Sequence, residues 1–260
     1  MLSDADRNKA VDTLEKAFKD RKQATQISTT YPNITIEDAY GISTLWAKRS
    51  MAAGAKLIGH KVGLTSKAMQ RSSNIGEPDF GYLFDDMIVP DGGRVEHASY
   101  CLPRVEIELA FVLGKRLMGP GVLLTDVLAA TEYVVPALEL VDARVQDPRK
   151  IFDTVSDNAA AAGIVMGGRP VRPLDIDLRW VGGIMYVNGE IEETGVAAGV
   201  LGHPAMGVAW LANKLGSLGT PMEPGHIVLA GSFTRVVFPK KGDTLHADFG
   251  QLGGISVRYV

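Results

Sequence analysis

The chain has 260 residues, 46% hydrophobic and 22% charged. That composition excludes global disorder, and at this length roughly 70% of the unfolded surface is buried on folding without help from disulfides. The 27 Lys+Arg against 30 Asp+Glu give a net charge of −3 with no basic stripe, so a nucleic-acid partner is not expected. Cys101, the single cysteine, suits a reducing compartment. No run approaches about 18 apolar residues, and the start has neither a basic nor an apolar leader region. A cytoplasmic protein without a membrane partner is expected.

Ser3 and Asp6 resemble a capping box, and Val11, Leu14 and Phe18 follow at helical spacing. Tyr31-Pro32-Asn33 reads as a turn. Thr35 and Asp38 open a second helix with Ile42, Leu45 and Trp46 on one face and Gly54 as its stop. The expected organisation is an N-terminal helical region, residues 1–55, ahead of a domain spanning 56–260. Strand signals then dominate. Residues 57–62 run into a glycine turn, Asp91-Gly92-Gly93 is a turn, and 104–113 alternate cleanly. Pro136 places 137–141 in extended structure. Pro204 starts a helix with Val208, Leu211, Ala212 and Leu215 as its stripe. Strands are expected at 183–187, 227–230, 244–249 and 255–260, with Asn188-Gly189 as a hairpin turn. Runs of strands with few helices between them predict an α+β fold, not a doubly wound sheet.

In Arg104-Val105-Glu106-Ile107-Glu108-Leu109, alternation puts the apolar residues on one face and Glu106 and Glu108 on the other. Such a pair is either an ordinary solvated strand face or a cation site. Glu139 lies in the apolar run Val134-Val135-Pro136-Ala137-Leu138-Glu139-Leu140-Val141. A carboxylate there needs a partner, either an arginine such as Arg144 or a metal. Three carboxylates without a Cys/His cluster suit a hard divalent cation.

Lys61, flanked by Gly59 and Gly63, is either a surface lysine or a charge for a substrate carboxylate or enolate. Asp79, in the turn Glu77-Pro78-Asp79-Phe80-Gly81, is a base or simple turn chemistry. Ser156-Asp157-Asn158 reads as the cap of a small-residue helix. Gly231-Ser232-Phe233-Thr234 could offer backbone N–H groups to an anion. The five histidines are scattered, and the chain lacks Walker A, G-x-G-x-x-G and G-x-S-x-G motifs. Phosphoryl transfer, dinucleotide chemistry and a Ser/His/Asp triad are not expected.

The segments 59–70, 77–81, 103–108, 136–139, 152–159 and 192–204 occur in an order that resembles the fumarylacetoacetate hydrolase superfamily. Within it, the likeness is to hydratases of 2-oxohept-ene-1,7-dioate and 2-hydroxypenta-2,4-dienoate and to 4-oxalocrotonate decarboxylases. Residues 59–87 and 190–204 favour a hydratase. The resemblance implies a mixed β-roll of the fumarylacetoacetase C-terminal type with flanking helices. It implies a Mg²⁺ or Mn²⁺ site at Glu106, Glu108 and Glu139, and a dienoate or oxo-enoate substrate whose C1 carboxylate and C2 oxygen meet the metal. Lys61 would contact that end of the substrate and Asp79 would transfer a proton or position water. Thr65, Ser156, Ser232 and Thr234 would orient the chain, and Arg71 or Arg235 would meet a distal carboxylate. A homo-oligomer is expected, and a complex with an enzyme of the same pathway is possible in such a family. The connection Val145-Gln146-Asp147 is short for the family and would reshape the pocket.

Overall fold

A computed structural model describes residues 1–72 and 75–260. The first helix, α1 (Asp4–Asp20), starts where Ser3 accepts a hydrogen bond from the Asp6 amide, and it ends at Arg21 in the left-handed region. Val11 and Leu14 are buried as its spacing predicts. Phe18 differs: it is half exposed, and its ring carries the Arg21 guanidinium instead of facing the core. After the short α2 (Ile27–Thr30), α3 (Ile36–Ala52) opens with the reciprocal Thr35–Asp38 capping box. α3 packs on α1 and on α6 (Ile151–Ser156).

The strands that follow are β1 (Leu57–Gly63), β2 (Asp79–Phe84), β3 (Ile88–Val89), β4 (Gly93–Val95), β5 (Pro103–Leu113) and β6 (Thr131–Asp142). Then come β7 (Ala161–Met166), β8 (Gly182–Val187), β9 (Glu190–Val196), β10 (Ile227–Leu229), β11 (Thr244–Asp248) and β12 (Gly254–Tyr259). Helix α4 (Lys67–Ser72) follows β1, α5 (Leu124–Ala130) precedes β6, and α7 (Pro204–Ser217) starts on its proline. The larger sheet has the order β2-β1-β10-β5-β6-β7-β3 and the smaller one β4-β12-β11-β8-β9. Parallel pairs (β1 with β10, β3 with β7, β4 with β12) sit among antiparallel ones. This is the α+β class read from the strand runs, with the mixed sheets that the resemblance implies. Asn188 and Gly189 both take positive φ between β8 and β9, as a two-residue hairpin turn requires.

Two predicted turns are corrected. Residues 79–81 belong to β2, whose six residues are all buried, so the turn ends at Pro78. The segment at 156–160 caps no following helix. Ser156 ends α6, and Asn158, Ala159 and Ala160 take positive φ in a 3₁₀ turn that leads into β7. The Asn158 side chain fixes that turn by bonding both the amide and the carbonyl of Tyr82.

Burial also refines the alternation of β5. Val105, Ile107, Leu109 and Phe111 lie in the main core, as expected. On the opposite face, Ala110 and Val112 join a second apolar cluster with Val135, Ala137, Ile164 and Leu229. The strand is therefore buried on both sides toward its end, and only Arg104 and Glu106 stay partly open. Among the described residues, no helix is long and apolar enough to cross a membrane.

Candidate metal centre and active site

Register assembles the carboxylates. Glu106 on β5 sits directly opposite Glu139 on β6. Cross-strand partners share a face, and Glu108, two residues along, shares it too. One carboxylate oxygen from each of the three lies within 4.8 Å of the others. Glu108 and Glu139 are fully buried. The arginine alternative for Glu139 falls away, because Arg144 is ion-paired to Asp157.

Lys61 faces the same cluster from β1. It is buried, and its Nζ lies 3.2 Å from Glu139 Oε1. Asp79 comes from β2 by its pairing with Gly63. A Cβ on Gly63 would stand 2.2 Å from Asp79 Oδ1 and 3.3 Å from Lys61 Nζ. The missing side chain at Gly63 is thus what makes room for the Asp79 carboxylate beside the lysine.

The site is electrostatically tense. Burial, then the charge of Glu139, raises the Glu106 carboxyl to about 7, against the pull of Lys61 and Arg104. Burial, then Glu139 and Glu106, holds Glu108 well above the ordinary glutamate value. Burial also raises Glu139, opposed chiefly by Lys61. Burial works against the Lys61 ammonium, but Glu139 and Asp79 outweigh it and the lysine stays charged above its ordinary value. Burial raises Asp79, and Lys61 opposes that shift. Glu108 Oε1, both Glu139 oxygens and both Asp79 oxygens are buried without a geometrically sound hydrogen bond. Three converging carboxylates with orphaned oxygens form a donor set that a hard divalent cation would satisfy.

The sequence model of the fumarylacetoacetate (FAA) hydrolase C-terminal family matches residues 51–259. The chain belongs to the fumarylacetoacetate hydrolase family. It is 57% identical over 254 residues to a 2-oxo-hept-4-ene-1,7-dioate hydratase of Escherichia coli, covering 95% of each chain. It is 36% identical over 248 residues to a 4-oxalocrotonate decarboxylase of Pseudomonas sp. strain CF600, covering 95% of this chain and 94% of that one. Its fold superposes on a 4-oxalocrotonate decarboxylase from Pseudomonas putida G7, solved with magnesium and adipate, with a TM-score of 0.98 at 34% identity. That match covers 100% of this chain and 99% of the other.

The remaining predicted residues of this family member divide into two groups. Thr65 is buried and packs on Gly231, where a Cβ would fall 2.2 Å from Thr65 Oγ1. Gly231, at φ +118°, donates its N–H to Glu108 Oε2 at 2.8 Å. The loop amide expected to meet an anion therefore meets the protein's own carboxylate. Ser232 Oγ donates to the Thr234 carbonyl, and Thr234 Oγ1 is buried without a partner, so both lie on the loop tied to Glu108.

For the other group, no hydrogen bond or ion pair to the three glutamates is seen among the described residues. Ser156 lines a small cavity with Leu14, Trp46, Arg144 and Asp157, and none of the three glutamates borders it. Arg71 is exposed on α4. The Arg235 side chain is 86% exposed and pairs with Glu193 at 2.8 Å. One charged neighbour of the cluster went unassigned in the sequence, Arg104. The alternation that placed Glu106 and Glu108 on one face places Arg104 there as well.

Proposed function

We propose that the protein is a divalent-metal-dependent hydro-lyase that adds water to 2-oxo-hept-4-ene-1,7-dioate or its 2-hydroxydienoate tautomer. The observation that carries this reading is the convergence of Glu106, Glu108 and Glu139 beside the Lys61–Asp79 pair. Full-length identity of 57% to a hydratase, against 36% to a decarboxylase, supports hydration as the outcome.

Glu106, Glu108 and Glu139 would hold the ion, with Mg²⁺ or Mn²⁺ as the candidates. When bound, it supplies Lewis-acid stabilisation of charge on the substrate's C2 oxygen. Lys61 keeps a fixed positive charge in a dry site, which favours negative charge on the C1 carboxylate or the C2 oxygen. Asp79 is raised toward its neutral form, so it can hold a proton and give or take one during the reaction. The chemistry asks for this: the C2 hydroxyl of the dienoate gives up its proton as another arrives at C5, leaving a C2 carbonyl conjugated with a C3–C4 double bond. Water then adds at C4 and C3 takes a proton, giving a 4-hydroxy-2-oxo acid. Thr65 and the 231–234 loop close the wall behind Glu108 and fix its rotamer.

The test is a product assay with 2-hydroxyhepta-2,4-diene-1,7-dioate and with 2-oxohex-3-enedioate, each with Mg²⁺ and with EDTA. A metal-dependent gain of one water on the seven-carbon diacid is expected. Loss of CO₂ from the six-carbon diacid, without hydration of the other, would make the protein a decarboxylase.

A further inference from the structure

A seven-carbon diacid carries a second carboxylate, and the sequence offered two arginines for it. One is exposed on α4 and the other is paired with Glu193. Arg104 stands on the glutamate face of β5, two residues from Glu106 and about 7 Å away at the Cα atoms. It is half-buried, and its Nε is buried without a hydrogen-bond partner. Among the described residues it makes no ion pair. Its guanidinium instead rests over the ring of Phe238, 5.3 Å from the centroid, and Phe238 is 56% exposed.

An unpaired guanidinium in a half-buried setting is costly, and proteins seldom keep one without a partner. Arg149 adds to the cost. It is only 14% exposed in its side chain, and its one carboxylate partner, Asp147, is 64% exposed. The strand thus carries a positive pole at Arg104 and a negative one at Glu106 and Glu108, on one face and one short span apart.

We propose that Arg104 receives the distal carboxylate of a dicarboxylic 2-oxo acid whose other end sits at the glutamate cluster, with the Phe238 ring holding the guanidinium plane. An extended seven-carbon chain measures about 7–8 Å from first to last carbon, the same order as the step along the strand face from Glu106 to Arg104. A planar fork suits a carboxylate better than a lysine would. The inference rests on the functional reading above and adds to it the residue that selects diacids.

The test uses two unreactive saturated probes that differ only in the distal carboxylate, 2-oxoheptanedioate and 2-oxoheptanoate. Each is titrated calorimetrically into Mg²⁺-loaded protein. Wild type is expected to bind the dioate about 10- to 100-fold more tightly, the size of a charge-assisted contact. Arg104→Gln is expected to abolish that preference while leaving 2-oxoheptanoate affinity unchanged, which also shows an intact site. Arg104→Lys should keep part of the preference, and it carries the test if the glutamine variant fails to fold. Equal weakening of both probes, or an unchanged preference, overturns the assignment while leaving the hydratase reading in place. A wild type that prefers neither probe does the same. Binding of neither probe to wild type overturns the functional reading and this one together.

Discussion

Lys61 is the residue on which the site turns, because it is the one cation in contact with the glutamate cluster among the described residues. It would share Glu139 with an ion held by the three carboxylates, so the two positive charges would compete. Replacing Lys61 with Ala should lower kcat by about 10²- to 10³-fold, the usual loss when a fixed charge leaves a site where negative charge develops. Metal affinity should hold or rise, because the competitor for Glu139 is gone. Steady-state kinetics alongside a Mn²⁺ titration followed by EPR separates the two effects; an unchanged kcat would remove Lys61 from the chemistry. Glu106→Gln should do the reverse. It removes a ligand charge from the most open of the three carboxylates, so Mn²⁺ affinity should fall by about 100-fold and turnover with it. Full activity of that variant at limiting Mg²⁺ would place the metal elsewhere.

At the scale of elements, what could be read from sequence was local. The Ser3 and Thr35 caps, the Asn188-Gly189 turn and the alternation at Val105–Leu109 each depend on neighbours a few residues apart. Register was not legible. Nothing in the chain says that Glu139 faces Glu106, or that β1 lies parallel to β10, whose residues come more than 160 positions later. Asp79 was misplaced in a turn because its partner, the gap at Gly63, exists only once β1 and β2 pair. Asp38 shows the same limit within a correct prediction. Its capping role at α3 was visible, but it also accepts the Leu2 amide and the Arg7 guanidinium, each at 2.9 Å, and so fastens the start of α1 to α3. Burial resists ionisation here, yet the Arg7, Leu2 and Thr35 bonds win and hold its carboxyl down at about 2. A folded-state value below the unfolded one means stability that is present above about pH 4 and lost as pH falls toward 2. Asp38→Ala should cost about 2–4 kcal/mol at neutral pH. Urea unfolding of both proteins should show that difference shrinking between about pH 4 and pH 2. A gap that persists undiminished at pH 2 would mean that the ionised carboxylate is not what ties the helices.

For the whole molecule, the exposed surface of 11,618 Å² is close to the roughly 11,000 Å² that surface scaling gives for a compact chain of this size. One core cluster runs from Val11 and Ile42 in the helices through Ile107 to Val257 in the smaller sheet. A ligand at the glutamates therefore reports on global stability. Without an ion, the raised carboxyls oppose folding as pH increases. Glu106 binds a proton in the folded state up to about 7 but releases it near 4.5 when unfolded, so stability falls as pH rises through that window. A divalent cation held by the ionised carboxylates would reverse this cost, with an affinity that grows as protons leave. The Tm gain on adding Mg²⁺ should therefore be larger at pH 8 than at pH 6. Saturation at about 100 times Kd contributes roughly 2.7 kcal/mol, or about 5–10 °C for a domain of this size. Scanning calorimetry with Mg²⁺ and with EDTA at both pH values measures it, and Glu106→Gln should flatten the pH dependence. A gain that is equal at the two pH values, or larger at pH 6, would show that the ion binds away from these three carboxylates.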